Sequence, residues 1–252
     1  MKISEKELKI FSRHLILPEF NGKNFELLQK QKITIVGLGG IGSPISIYLA
    51  STGIKHFNLI DSDKVEITNL NRQILFTTKD IGKKKSQVAK KRLLGINPKC
   101  NIIESSSYLN EKNIKKNLEK TSLVVDATDN WKSMILINKY CVENSIPLVS
   151  VSVVGFSGQV AIFENSLNQH LCLQCIFPNE KEPELARCQT VGILGTVAGL
   201  VGLITAQKII NFFIGTKDTK YLTLIDAKTL NMHNVRIKKN KNCKCLKKKL
   251  NY

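Results

Sequence analysis

The chain is poor in proline, aromatic residues and arginine, and each shortage removes a class of protein. Six prolines in 252 residues are too few for a proline-rich disordered or fibrous chain. With 42% apolar side chains the length suffices to bury one sizeable core, or one core with a small appended subdomain. The amino terminus, MKISEKELKI, lacks the apolar run of a signal peptide, so a cytoplasmic location is expected. Aromatic residues make up 6% and do not interleave with any basic cluster, which leaves the formal charge of +18 without the usual marks of a nucleic-acid binder. Of the 38 basic residues only Arg13, Arg72, Arg92, Arg187 and Arg236 are arginine. The lysines are spread among abundant Asn and Ile in the manner of a coding bias, and runs such as Lys83-Lys84-Lys85 and Lys247-Lys248-Lys249 read as solvated faces. Where arginine does occur, its planar fork does work that a lysine point charge cannot.

What is present is a strand–helix alternation. Lys32 to Val36 reads as a strand, a helix follows from Ser43 to near Gly53, and a second strand, His56 to Ile60, ends on Asp61. A helix from about Lys84 stops before Pro98. Strands at Asn101 to Ser105 and Ser122 to Ala127 enclose a helical stretch, and another helix spans Trp131 to Asn144. This rhythm predicts a Rossmann-like, mainly parallel α/β sheet over about residues 30–150. Beyond Pro147 the pattern changes: "LVSVSVVGFSGQVAIFE" reads as two strands around a Gly turn, and strand-like runs follow at Leu222 to Ile225 and His233 to Ile237. The second half, about 150–245, is therefore expected to be mixed or antiparallel, within a single domain over 1–252. Val191 to Gln207 is uncharged and holds Gly195-x-x-x-Gly199, but it is shorter than the roughly 20 apolar residues of a bilayer span and Lys208 interrupts it. It is expected to be a buried, glycine-rich helix, and no membrane partner is expected.

The stretch "IVGLGGIGS", with Gly37-x-Gly39-x-x-Gly42 and Gly40 between, lets backbone approach a phosphate and aims a helix N-terminus at it. NAD, FAD and ATP are served equally well by such a loop. Asp61, at the end of the second strand, can accept hydrogen bonds from ribose hydroxyls or merely cap its strand. An NAD(P)-binding oxidoreductase survives to this point. It leaves unexplained Asn69-Leu70-Asn71-Arg72-Gln73, then Lys85, then Asp126-Ala127-Thr128-Asp129-Asn130. Cations converging on phosphates stabilise charge that develops during attack at phosphorus, and a carboxylate such as Asp129 can hold Mg²⁺. Taken singly, Asn69 and Asn71 could be turn residues and Lys85 a solvated helix start.

At these residues the chain resembles the ThiF/MoeB/HesA family, the prokaryotic relatives of ubiquitin-activating enzymes. The resemblance runs from about Phe11 to Cys245 through "FSRHLILPEF", "GLGGIGSP", "NLNRQILF", "DIGKKKSQ", "DATDN" and "CQTVGILG". It implies an enzyme that uses ATP and Mg²⁺ to adenylate the C-terminal glycine carboxylate of a small ubiquitin-like sulfur carrier ending in Gly-Gly, serving thiamine thiazole or molybdopterin synthesis. The same resemblance assigns Gly39 and its loop to the nucleotide, Asp61 to the ribose, Arg72 and Lys85 to the phosphates, and Asp129 to magnesium. Asn69 and Gln73 would shape the pocket, and Arg13 would reach the triphosphate from the neighbouring subunit of a homodimer, a surface helix residue being the alternative. Met134 departs from the pattern, since many relatives carry Arg a few residues after the TDN motif. No sulfurtransferase segment is read after the adenylating region, so sulfur is expected from a separate donor.

Seven cysteines in a chain expected to be cytoplasmic point to metal or chemistry rather than to disulfides. Cys172-x-x-Cys175 has the spacing of a metal knuckle, and a second thiolate pair would complete a tetrahedral Zn²⁺ site. The resemblance implies a second C-x-x-C; here Cys243-x-Cys245 is one residue shorter, and it either still ligates zinc or marks a degraded site. Cys188 lies where some family members form a covalent link to the carrier or its sulfur, with Arg187 beside it to favour the thiolate, while a structural cysteine is the alternative. Cys100 and Cys141 sit in apolar runs and are expected in the core.

Overall fold

The computed structural model describes residues 4–165, 171–178, 192–216, 218–240 and 243. Two helices precede the sheet. The first, α1 (Glu5–Leu15), begins in a capping box between Ser4 and Glu7, and α2 (Gly22–Gln29) is capped by Asn21, whose side chain accepts from the Lys23 and Asn24 N–H groups. The sequence reading, which begins at Lys32, contains neither helix. What ties α1 down is the carboxylate of Glu7, buried and bridged to Lys55 at 2.7 Å and Lys99 at 2.8 Å. These two cations hold Glu7 well below the usual carboxylate range.

The chain then alternates: β1 (Lys32–Val36), α3 (Gly42–Ser51), β2 (His56–Ile60), α4 (Lys85–Ile96), β3 (Asn101–Ser105), α5 (Ile114–Leu118), β4 (Leu123–Asp126), α6 (Trp131–Glu143) and β5 (Leu148–Val154). It continues through β6 (Ser157–Phe163), a one-turn α7 (Leu173–Ile176), α8 (Gly195–Ile214), β7 (Tyr221–Asp226) and β8 (Asn231–Arg236). Among the described residues, eight strands form one sheet in the order β3-β2-β1-β4-β5-β6-β7-β8. The first five are parallel, and β5 to β8 pair antiparallel. The fold class expected from the sequence, a mainly parallel sheet with an antiparallel C-terminal part, is the one observed.

Alternation along the strands divides the core. Ile33, Ile35, Phe57, Leu59, Val125, Val149 and Val151 face α3, α4 and α8, with Phe25 and Leu28 of α2 in the same cluster. Val36, Ile60, Val124 and Leu148 belong to a second cluster with Ile114 and Leu118 of α5 and Ile137 and Cys141 of α6. Helices on both faces are what a parallel sheet requires, because neither face can be left wet. Cys100 and Cys141 are buried, as expected.

The apolar run after residue 191 needs a correction. Helix α8 does not end before Lys208 but continues to Ile214, with Lys208 held at 2.6 Å by Asp218. By length and composition this helix could cross a membrane. Its buried face instead packs on the nucleotide-loop helix and the sheet: a Cβ on Gly202 would collide with Pro44 of α3, and a Cβ on Gly195 would collide with the Asn71 carbonyl. The expectation of a buried, glycine-rich helix holds. Gly202→Leu is therefore expected to cost about 1–3 kcal/mol of unfolding free energy by overpacking. Gly199, whose Cβ would meet nothing within 4 Å, should accept Ala with no loss and a gain of up to about 1 kcal/mol. Urea unfolding of both variants checks the contrast, and equal effects would show that α8 does not seat as described.

Candidate active site

Strand order reverses at β1: β2 and β3 lie on one side of it, β4 and β5 on the other. In open α/β sheets the crevice at such a switch point, beyond the carboxyl ends of the strands, receives ligands. Here the glycine loop leaves β1 and the Ala127–Asn130 turn leaves β4 side by side. Gly37 adopts φ +89, and a Cβ there would stand 2.5 Å from the Ala127 carbonyl oxygen, so only glycine permits the approach. A cleft of about 1290 Å³ opens over this crossing. Its lining brings together Gly37, Gly39, Gly40, Asp61, Asn69, Arg72, Gln73, Lys85 and Asp129. Gly42 lies just beneath, buried at the start of α3, where a Cβ would collide with Gly37 O.

Each polar residue is held by identifiable contacts. Asp61 accepts Leu38 N–H on Oδ2 at 2.7 Å and Asp63 N–H on Oδ1 at 2.9 Å. It thus acts as a brace for the glycine loop, and carboxylate lone pairs remain for a ligand hydroxyl. Burial raises its pKa, and the Lys85 charge with these two N–H donors opposes the rise. Lys85 is buried rather than solvated at the start of α4, with Nζ 2.9 Å from Asp63 Oδ2. Asn69 does serve turn chemistry: its Oδ1 accepts Glu66 N–H at 3.1 Å. Arg72 donates through Nη1 to Thr68 O at 2.9 Å and Asn71 Oδ1 at 3.1 Å, leaving other guanidinium N–H groups for a ligand. Gln73 is buried with Oε1 unpartnered.

The β4 turn is fixed at both ends. Asp126 Oδ1 accepts from Thr128 N at 3.1 Å and Thr128 Oγ1 at 2.7 Å, and Asn130 caps α6 by accepting Ser133 N–H at 2.9 Å. Asp129 stands between them, exposed on the cleft. Arg13 lies on the exposed last turn of α1 and is not among the residues lining this cleft. Cys188, Arg187 and Cys245 lie outside the described residues.

Cys172, Cys175 and Cys243 converge, with all three sulfur atoms within 4.8 Å of one another and Cys172 Sγ 3.3 Å from Cys243 Sγ. Tetrahedral Zn–S bonds of about 2.3 Å separate sulfurs by about 3.8 Å, so this donor set fits a zinc ion. The one-residue shortening of the second pair does not keep Cys243 out of the cluster.

Several lining residues escaped the sequence reading. Asp63, the partner of Lys85, was legible in "DSD" once Lys85 was chosen. Tyr108, Ser152, Gln159 and Phe177 carry no motif and reach the cleft only through the fold.

These features define a nucleotide-binding α/β protein whose phosphate loop is faced by two cations and a carboxylate. The model of the ThiF family matches residues 11–247, and the chain belongs to that family. It is 33% identical over 242 residues to the sulfur carrier protein ThiS adenylyltransferase of Escherichia coli K12, covering 96% of each chain. It is 32% identical over 249 residues to the sulfur carrier protein adenylyltransferase of Thermus thermophilus, covering 96% of this chain and 92% of that one. Against the adenylyltransferase and sulfurtransferase MOCS3 of Drosophila grimshawi identity is 36%, over 96% of this chain but 55% of the relative. Among solved structures, Escherichia coli MccB with ATP superposes with a TM-score of 0.77 at 23% identity, over 97% of this chain and 82% of that one.

Asp126 offers a test of the crevice's polarity. It is fully enclosed, its Oδ2 has no hydrogen-bond partner, and burial pushes its pKa up to about 6 against the Thr128 bonds that lower it. A carboxyl whose folded pKa exceeds its unfolded value of 3.8 contributes most below pH 3.8, and stability falls as pH rises through 6. Asp126→Asn should therefore raise unfolding free energy at pH 7.5 by up to about 3 kcal/mol, two pKa units at 1.36 kcal/mol each. The gain should shrink toward pH 4. Denaturant unfolding across that range checks it, and a pH-independent difference would rule out the raised pKa.

Proposed function

We propose that this protein uses ATP to adenylate the C-terminal glycine carboxylate of a small ubiquitin-like sulfur carrier ending in Gly-Gly, for thiamine thiazole or molybdopterin biosynthesis. The observation that carries the reading is the convergence of Arg72, Lys85 and Asp129 on the glycine loop in one cleft of a ThiF-family chain. The names of its full-length relatives, carrier adenylyltransferases, support the same reaction.

The glycine loop and the N-terminus of α3 offer backbone N–H groups to the phosphates, and Asp61 keeps lone pairs for the ribose. A carrier carboxylate oxygen attacks the α-phosphorus. The new P–O bond forms as the bond to the β-phosphate oxygen breaks, and pyrophosphate leaves with that electron pair. Negative charge grows on the α- and β-phosphate oxygens, and Lys85 and Arg72 are the cations that oppose it. Lys85 would exchange its bond to Asp63 for one to a phosphate oxygen: Asp63, 64% exposed, returns to solvent, while the buried ammonium stays paired. Asp129 would hold Mg²⁺, a hard cation suited to carboxylate and phosphate oxygens, which adds charge neutralisation there. Asn69 and Gln73 shape the pocket floor. Arg13, absent from the cleft of its own chain, would serve the neighbouring subunit of a homodimer. Zinc at Cys172, Cys175 and Cys243, with Cys245 as fourth ligand, would be structural. Sulfur would come from a separate persulfide donor that passes its outer sulfur to Cys188, and the terminal sulfur of the Cys188 persulfide would displace AMP from the carrier adenylate, leaving carrier and Cys188 joined by a reducible acyl disulfide. A nicotinamide oxidoreductase would share the loop and Asp61 but give Arg72, Lys85 and Asp129 no task.

The protein should catalyse ATP–pyrophosphate exchange only when a Gly-Gly carrier is present. Asp129→Ala should abolish that exchange, and Arg72→Ala should slow it by an amount worth several kcal/mol, ~3. Exchange without carrier, or turnover of NADH, would overturn the assignment. Cys188→Ala should keep exchange and lose any reducible adduct with the carrier on non-reducing gels. Metal analysis is expected to find about one Zn²⁺ per chain.

A further inference from the structure

The cysteine cluster and the catalytic cleft share a single turn of chain. Between Cys172 and Phe177 the backbone closes on itself, Cys175 N–H donating to Cys172 O and Phe177 N–H to Leu173 O, each at 2.9 Å. One side of this turn carries the thiols, which pack with Cys243 and Val142. The other side faces the cleft: Leu173 and Phe177 both line it. Phe177 meets Trp131 edge-on, with ring centroids 5.7 Å apart and planes at 89°. Trp131 is the first residue of α6 and stands two residues after Asp129.

Bonds from outside the cluster also reach this turn. Leu173 N–H donates to buried Asn138 Oδ1 at 3.0 Å, and Asn240 Nδ2 reaches Gln174 O at 3.4 Å. A four-residue helix has no stability of its own, because the cost of its first turn is never recovered by propagation. Metal–sulfur bonds would add cross-links to the burial of Leu173 and to these hydrogen bonds.

We propose that the thiolate cluster is a positioning element for the catalytic cleft: by locking the Cys172–Phe177 turn it keeps Phe177 against Trp131, so that metal bound by the cysteines sets the affinity for the carrier tail rather than for ATP. This rests on the adenylation reading for what occupies the cleft. The preference for the tail follows from packing. Leu173 and Phe177 belong to a cluster that joins Val36 and Ile60 of the parallel strands to Ala161, Phe163, Leu222 and Ile237, and beyond the glycine loop the cleft runs along the antiparallel strands, lined by Ser157, Gln159 and Leu224. The glycine loop, Asn69–Gln73 and Lys85 are braced separately, by Asp61, Asp63 and α8.

The chain has one tryptophan, so its emission reports the Trp131–Phe177 contact directly. The experiment compares the purified full-length protein before and after chelation of its metal with Cys175→Ser and Phe177→Leu. It reads tryptophan emission, and carrier and ATP KM in exchange with a recombinant Gly-Gly carrier. Metal removal should shift the Trp131 emission and raise the carrier KM roughly five- to tenfold, with the ATP KM unchanged. Phe177→Leu keeps an apolar side chain, should retain its metal and should reproduce both effects; it stands in if Cys175→Ser does not fold. Unchanged emission after metal loss in a protein that keeps its far-UV circular dichroism would overturn the proposal. So would a Phe177→Leu protein that binds carrier like the wild type, or a rise confined to the ATP KM. If exchange itself is absent, the functional assignment fails, while the emission comparison still decides whether the cluster holds the turn.

Discussion

At the carboxyl end of the sheet the chain passes so close to itself that side chains are excluded, and the geometry of the cleft depends on that exclusion. Gly42 sits against the Gly37 carbonyl, Gly37 against the Ala127 carbonyl, and Gly195 against the Asn71 carbonyl. Three segments distant in sequence, the phosphate loop, the β4 turn and the Asn69–Gln73 loop, are thus located by atoms that are missing. Backbone cannot be compressed, so these approaches fix relative positions more tightly than side-chain packing, which adjusts by rotamer changes. The glycine loop, the turn that carries Asp129 and the loop that carries Arg72 therefore keep relative positions that the chain cannot easily alter.

On that frame the charges divide their labour. Carboxylates near the loop hold backbone: Asp61 grips Leu38 and Asp63, and Asp126 grips Thr128. Cations are left to face the ligand, and Lys85 is kept in place by a carboxylate that solvent already screens. The arrangement stabilises an empty cleft without committing its cations to strong partners. In the proposed reaction a triphosphate entering the cleft would exchange the Lys85–Asp63 pair for several charge-assisted contacts.

Much of this was legible in the sequence. The β-branched strands, the glycine spacing and the stop before Pro98 depend on local physics, and they gave β1, β2, α3 and α4 nearly to the residue. Arg72, Lys85 and Asp129 were found because their types make sense only together, and one cleft contains all three. What escaped was non-local. Helix α1 is held by Glu7 reaching Lys55 and Lys99, contacts that no window of sequence contains. Lys208 interrupts the uncharged run in the sequence, whereas in the fold the helix continues through it and Asp218 pairs with it from beyond the turn. Phe177 lies in a segment with no periodicity, and only the fold brings it to Trp131.

The shortened second cysteine pair still brings Cys243 to Cys172 and Cys175. Spacing matters for a metal site only through where it puts sulfur, and Cys243 reaches Cys172 regardless. Without a cation the cluster resists ionisation: contact with Cys172 and burial both raise the Cys175 thiol far above its usual range. A divalent ion reverses the balance, since coordination stabilises thiolates and expels their protons. Binding is then coupled to proton release, so occupancy weakens as pH falls. With zinc in the proposed site, the turn that carries Leu173 and Phe177 would accordingly be held most firmly in neutral to alkaline solution, where the thiolates are not displaced by protons.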